Sequence, residues 1–512
     1  MLSGLPSRHV AGSDASVAGS AGAFGGLAAP AALSLLLALL FVVVSHETTM
    51  WQVLIFLGVC FAAAVFWFKD IPGLFLAMFI VTTPIDLSKA LIIPGGVYSP
   101  GLSLFLSDLF LIGLAGTWLF RHALLRRQPL HFDRLHRLAL AFLAWLWISA
   151  FYSQDVLAGV LAALTYSKFF LTYYILSLML REARYFRLAA LAFFAGFVMQ
   201  ALYVAAQFAT GSPLELQGAK ITELGTRLVF SAGEAIHSFR PSGFLHHPNV
   251  LADYLVFLLP TSFALILMGK ERLNARLWWA AMFVGVAGSA MLIVSLSRGG
   301  WIALAAAMLF FIVAGLRQGL VTRLHLSALL SAAVIGIALV GLVYPAAFLR
   351  ITHSDQRSTE SRFAMMDQAM KIIQENPVLG VGFGGYNRAA KQTTPESFSY
   401  LSPYFQDELR KGVVHNKYLL VTAEHGVIGL ALFLLLLWRY STLVFPVAKW
   451  RSPAHFAVAL GLSAGIVGQA MFYIFDHFYA DIRPALLWVF FGLLHALLAL
   501  NHFQAAGETK RQ

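Results

Sequence analysis

The chain has 512 residues, of which 59% are hydrophobic and 12% charged, with a formal net charge of +12 and a mean hydropathy of +0.75. A soluble domain carries about a quarter charged residues, so the composition excludes a water-soluble globular protein and indicates a chain solvated mostly by lipid. A single cysteine, Cys60, in an apolar run, excludes an intrachain disulfide and a cysteine-based metal site. The basic excess reads as Lys and Arg holding loops in the cytoplasm, not as a nucleic-acid footprint.

Residues 1–29, rich in Gly, Ala and Ser, predict a disordered cytoplasmic tail without the basic start of a cleaved signal peptide. Apolar stretches long enough to cross a ~30 Å hydrocarbon core then follow. They lie near 30–46, 51–68, 72–88, 104–120, 136–152, 157–180 and 187–209, and near 249–268, 277–296, 300–316, 326–348, 418–438, 455–475 and 484–500. The prediction is therefore an all-α polytopic membrane protein of about 14 transmembrane helices. N-terminal spans occupy 30–209, a first long loop 210–248, further spans 249–348, a larger loop 349–417, C-terminal spans 418–500 and a tail 501–512.

Basic clusters orient it. Arg121, Arg126, Arg127, Arg134 and Arg137 follow the fourth span, and Arg181, Arg184 and Arg187 the sixth. Lys270, Arg272 and Arg276 follow the eighth, Arg317 and Arg323 the tenth, and Arg439, Lys449 and Arg451 the twelfth. All fall on even-numbered exits, which predicts one cytoplasmic side, cytoplasmic termini and two long periplasmic loops. Loops of that length are usually functional.

Within the larger loop, Ser361 to Glu375 predicts a helix with Phe363, Met366, Met370 and Ile373 on one face, stopped by Asn376-Pro377. Gly380, Gly382, Gly384 and Gly385 read as a flexible turn. They follow a helix instead of opening one, so they do not resemble a nucleotide-binding loop. In the membrane, Lys168 and Asp108 come out at the same depth, ~20 Å above the cytoplasmic edge. They read as an ion pair or, with Glu424, as a polar floor beneath an outer site.

The periplasmic side also carries residues that charge bias does not explain: Arg240, His246, His247 and Asn249 before the eighth span, Ser297 and Arg298 between the ninth and tenth, Arg362, and His415-Asn416 before the twelfth. Arginine donates two parallel hydrogen bonds to phosphate, and histidine titrates near neutrality. The set reads as a basic basin for a diphosphate, with histidine available for proton transfer. Each piece has a plainer reading: Asn249 and Asn416 as helix caps, Arg298 as a snorkelling cation in a Gly-Gly turn, Arg240 and Arg362 as loop charges. No metal-ligand spacing is present.

The segments Phe244-Leu-His-His-Pro-Asn249, Ser295-Leu-Ser-Arg-Gly-Gly-Trp301, Arg362 with Asn376-Pro-Val-Leu-Gly-Val-Gly-Phe-Gly384, and His415-Asn-Lys-Tyr through Glu424-His-Gly to Leu430 occur in this order. Together they resemble the O-antigen ligase and O-antigen polymerase superfamily over roughly 240–440, with Lys417 a departure from the usual motif. The resemblance implies a GT-C-like fold and a metal-independent, cofactor-free glycosyltransferase of the bacterial inner membrane. Its donor would be a glycan on undecaprenyl diphosphate, and its acceptor lipid A–core for a ligase or a lipid-linked repeat for a polymerase. Membrane lipids would be its other partners, with no nucleic acid. It also implies Arg298 and Arg362 on the diphosphate leaving group and His415 as the essential histidine. Arg240, His247, Asn249, Ser297, Asn416 and Glu424 would support substrate binding. Protein O-oligosaccharyltransferase and lipid-linked sugar transport remain alternatives, the latter poorly matched because the polar groups concentrate in one outer basin and the two halves show no repeat.

Overall fold

The computed structural model describes residues 70–92, 101–121, 132–214, 227–232, 234–245, 247–352, 356–393, 412–445, 450, 452–476 and 482–509. One compact unit comprises 72–214 and 221–512; of the other, 1–71 with 215–220, just Asp70 and Ile71 are described. The predicted tail and first two spans, His246 and much of the larger loop lie outside the described residues.

Helices in chain order are α1 (Ile71–Thr82), α2 (Leu106–Leu119), α3 (Arg134–Phe151), α4 (Val156–Met179), α5 (Ala183–Thr210), α6 (Pro248–Leu267), α7 (Ala275–Val294) and α8 (Arg298–Arg317). Then come α9 (Arg323–Val343), α10 (Pro345–Thr352), α11 (Gln356–Glu375), α12 (Tyr386–Gln392), α13 (Lys417–Ser441), α14 (Pro453–Phe472) and α15 (Ile482–Thr509). Among the described residues eight helices, α4 to α9, α13 and α14, are long and apolar enough to cross a membrane. The protein is an all-α polytopic membrane protein. Two antiparallel hairpins not expected from the sequence interrupt the helices: β1 (Ser88–Ile92) with β2 (Leu102–Phe105), and β3 (Arg227–Ala232) with β4 (Glu234–Phe239), the latter within the first long loop.

The bundle is centred on α6 and α14, each with 72% of its apolar window buried. Small residues permit their approach: a side chain on Gly461 of α14 would overlap the backbone of Thr261 on α6. By contrast α9, the most apolar span, buries none of its residues. Its stability as a helix therefore depends on lipid, where every backbone group is satisfied internally.

Lys168 and Asp108 form the expected ion pair, Nζ to Oδ2 at 2.8 Å. Asp108 also accepts from the Phe105 amide at 2.9 Å, so the carboxylate ties α4 to the start of α2.

Two expectations for the larger loop are corrected. The buried face of α11 is Ala364, Gln368, Ala369 and Ile372, whereas Phe363 and Met370 are exposed. The reason is tertiary: the Gln368 amide donates to the carbonyls of Ala390 and Thr393 at 2.8 and 3.0 Å, and small alanines bring α11 down onto α12. The glycine run is not a free turn either. Val381 N donates to Ala423 O at 2.8 Å, Gly382 N to Glu424 O at 2.9 Å and Phe383 N to Ser149 O at 3.2 Å. At Gly382, φ is +86°, and an added Cβ would overlap the Ser153 backbone.

The span expected over 418–438 is not one continuous helix. α13 breaks at Gly426, where φ is 65° and ψ −170°, a region reserved for glycine. Tyr418 and Phe433 would be ~22 Å apart along an unbroken helix, yet their ring centroids lie 6.2 Å apart. The glycine run fills the break, with Val427 N donating to Pro377 O at 3.0 Å.

Candidate active site

The Ser295–Trp301 turn organises one end of the bundle. After α7 ends, Leu296 adopts φ +50° while fully buried, a costly conformation for a branched residue. Ser297 then caps α8, its Oγ accepting from Gly300 N at 3.3 Å. Gly300 lies against α6, where an added Cβ would overlap Ala252. This fixes Arg298 as the first residue of α8.

Arg240 is 5% exposed. Its Nε donates to Ser295 O at 2.8 Å and its Nη2 to Asn249 Oδ1 at 3.0 Å. Ser297 Oγ donates to the same Asn249 oxygen at 3.0 Å, and Asn249 Nδ2 donates to Asp476 Oδ2 at 3.3 Å. Asn249 is thus the hub of the site and not the expected cap. The cap of α6 is His247, whose Nδ1 accepts from Asn249 N at 3.1 Å. Pro248, with no N–H to satisfy, takes the first helical position.

Opposite, the segment before α13 runs against the end of α14. Asn416 caps α13 through its Oδ1, accepting from Leu419 N at 3.0 Å, and its Nδ2 donates to Ile474 O at 3.1 Å. Lys417 N donates to Tyr473 O at 2.8 Å. These bonds bring His415 Nδ1 to 3.5 Å from Asp476 Oδ1, with about a third of the His415 side chain still exposed (36%). Arg362, from α11, donates Nη1 to Phe475 O at 3.5 Å, one residue from Asp476.

The electrostatics are those of a buried guanidinium among other arginines. Burial pushes the Arg240 guanidinium down to about 9, and the neighbouring charges of Arg350, Arg298 and Arg362 push the same way. Asp476, 5% exposed, bridges Asn249 and His415. Sequence reasoning missed it; the available signal was an acidic residue closing a span beside a basic basin.

The structure brings together Arg240, Asn249, Ser297, His415, Asn416 and Arg362, with Arg298 acting on Arg240. His247 serves as the cap beside them. Glu424 belongs to a separate buried cluster: its Oε1 accepts from Tyr386 N at 3.4 Å, and its Oε2 lies 4.0 Å from His425 Nε2, which seats the glycine run on α13. The Lys417 ammonium turns inward to the Tyr166 hydroxyl at 3.3 Å.

Residues 283–434, spanning the Ser295 turn, Arg362 and His415, match the family described as O-antigen ligase. Over that segment the chain is similar to the O-antigen ligase family. Members of this family are glycosyltransferase-like enzymes. Arg240, Asn249 and Asp476 lie outside the matched O-antigen ligase segment, yet they complete the polar network around its arginines and histidine. No curated protein matches the chain.

Proposed function

We infer that this protein is an O-antigen ligase-like transferase of the bacterial inner membrane. It moves a glycan from undecaprenyl diphosphate to a hydroxyl of lipid A–core on the periplasmic face. The observation that supports this most is the partly exposed His415 beside buried Asp476, set against an arginine cluster centred on Arg240.

In this reading the acceptor oxygen attacks the anomeric carbon. The bond from that carbon to the diphosphate oxygen breaks, and undecaprenyl diphosphate leaves with the electron pair. Asp476 faces His415 Nδ1, so Nε2 is the atom that takes the hydroxyl proton. Arg240, Arg298 and Arg362 stabilise the charge growing on the leaving group. Because arginines supply the positive charge, transfer proceeds with chelator present.

The test is transfer from a purified lipid-linked donor to a lipid A–core acceptor. His415→Ala and Arg298→Ala should each lower the rate by about a hundredfold or more while inserting normally. Arg298→Lys should rescue little, since it lacks the two-pronged donor. Near-normal transfer by folded His415→Ala would reject the mechanism. Elongation of a lipid-linked repeat in place of transfer to core would make the protein a polymerase.

A further inference from the structure

We propose that the cavity between α2, α4 and the β1–β2 hairpin binds one membrane glycerolipid, which gives an ester carbonyl oxygen to Lys168. This site lies apart from the polar network around Asn249 and does not depend on the transferase reading.

The cavity has a volume of about 310 Å³, within the range of small-molecule sites, which are mostly apolar with a few polar groups to fix orientation. Its walls are Leu91 and Leu104 of the hairpin, Leu111 and Ile112 of α2, and Leu164 and Leu171 of α4. Leu91, Ile112, Leu164 and Leu171 are all exposed, so the cavity opens sideways, towards lipid. Its polar lining is Ser103, Thr165 and the Lys168–Asp108 pair.

Lys168 is set ~18 Å along α4 from Val156, well inside the span. Charges inside a span normally face the bundle interior or a water-filled cavity. This pair instead lines an apolar cavity open to lipid, with the Lys168 side chain 22% exposed. An ammonium has three N–H donors. Among the described residues one goes to Asp108 Oδ2 at 2.8 Å, while the Phe105 and Phe169 rings lie 4.9 and 5.5 Å from the nitrogen. Donor capacity is left for an oxygen that enters the cavity.

The hairpin decides what can bring that oxygen. A two-stranded ribbon has open edges, and open edges do not occur against hydrocarbon. The membrane boundary on this side of the molecule therefore passes at β1 and β2. β2 ends at Phe105, and Asp108 follows in the first turn of α2, accepting from the Phe105 amide at 2.9 Å. The pair thus lies about one helical turn inside the boundary, the level of the ester groups of a glycerolipid, and an acyl chain can run on along the leucines. Charge then selects the atom. Asp108 already neutralises Lys168, so a phosphate at this place would be repelled by the carboxylate as it was drawn to the ammonium. A neutral carbonyl oxygen accepts the N–H without that repulsion, so the site reads the ester and not the head group.

Native mass spectrometry of the full-length protein, delipidated in detergent and returned to a defined lipid, tests this. The probes are dioleoyl phosphatidylethanolamine, dioleoyl phosphatidylglycerol and the diether analogue of each. Ala115 lines the cavity, and Ala115→Trp would fill it while leaving both charges in place. Wild type should retain one lipid more than Ala115→Trp, with the two diesters held alike and the diethers about tenfold more weakly. A variant carrying both Lys168→Met and Asp108→Asn strands neither charge and should hold diester and diether alike. Equal retention by wild type and a folded Ala115→Trp would overturn the site. An ester preference that survives in the double variant would overturn the role of Lys168, and tenfold tighter binding of phosphatidylglycerol than of phosphatidylethanolamine would overturn the ester contact in favour of the head group.

Discussion

Asp133 shows how much one residue can fix at the end of the bundle where α3 begins. Its Oδ1 accepts from Leu135 N and His136 N at 3.0 and 3.1 Å, capping α3. Its Oδ2 accepts from His495 Nε2 of α15 at 2.7 Å and lies 3.8 Å from Arg181 Nη2. Ser177 Oγ gives its proton to Tyr174 O at 2.8 Å, so it must accept from His136 Nε2. Although Asp133, His136 and His495 stand within ligand distance of one another, the carboxylate lone pairs already face four N–H donors, so this cluster is a lock between helices. Burial raises the Asp133 pKa, but the hydrogen bonds from His136 and His495 outweigh it and hold the carboxyl well below the usual range. The free value is about 3.9. A depressed carboxyl contributes stability that is fully present above that value and lost as pH falls below it. The melting temperature of wild type should accordingly exceed that of Asp133→Asn at pH 7, with the gap beginning to narrow only as pH falls below about 4 and shrinking progressively from there; a gap that persists unchanged in strong acid would show that the lock does not depend on charge.

At the scale of elements, the break in α13 is what lets one span serve both site and loop. The segment before Gly426 carries the His415 and Asn416 end, and the glycine run packs into the break through Val381, Gly382 and Val427 amides. Alanine at Gly426 would meet both a backbone conformation closed to it and the Val378 carbonyl. It should cost about 1–3 kcal/mol or more, lowering the melting temperature and glycan transfer together. Gly341 on α9, with open space around its Cβ position, is the internal comparison. Alanine there should hold or raise stability by up to about 1 kcal/mol through helix propensity. Equal losses at both positions would mean that the break is not a specific structural device.

For the whole molecule, orientation is the property on which the proposed chemistry depends. A cysteine at Lys391, at the end of α12 in the larger loop, should react with an impermeant thiol reagent in intact cells after Cys60 is replaced. One at Lys270, between α6 and α7, should react only after permeabilisation. The reverse pattern would put the site on the cytoplasmic face and remove the periplasmic donor from the reading.

Much of this was legible in the chain because the membrane imposes local rules. Span length, the absence of internal charge and the bias of basic loops are read residue by residue, since lipid demands a helix wherever backbone crosses it. Equal depth along two such helices offered the Lys168–Asp108 pair as one of two readings, and the fold carries it. The motif residues Arg240, Arg298, Arg362 and His415 were likewise visible, as basic residues that the bias of cytoplasmic loops does not explain. What a residue touches is a different matter. That Asn249 is a hub and His247 the cap, that α13 breaks at Gly426, that α11 buries alanines and leaves Phe363 exposed, and that Asp476 stands behind His415 all depend on segments far apart in sequence. Those contacts were decided by packing, where the shape of one helix end selects its neighbour and no local pattern in the chain records the choice.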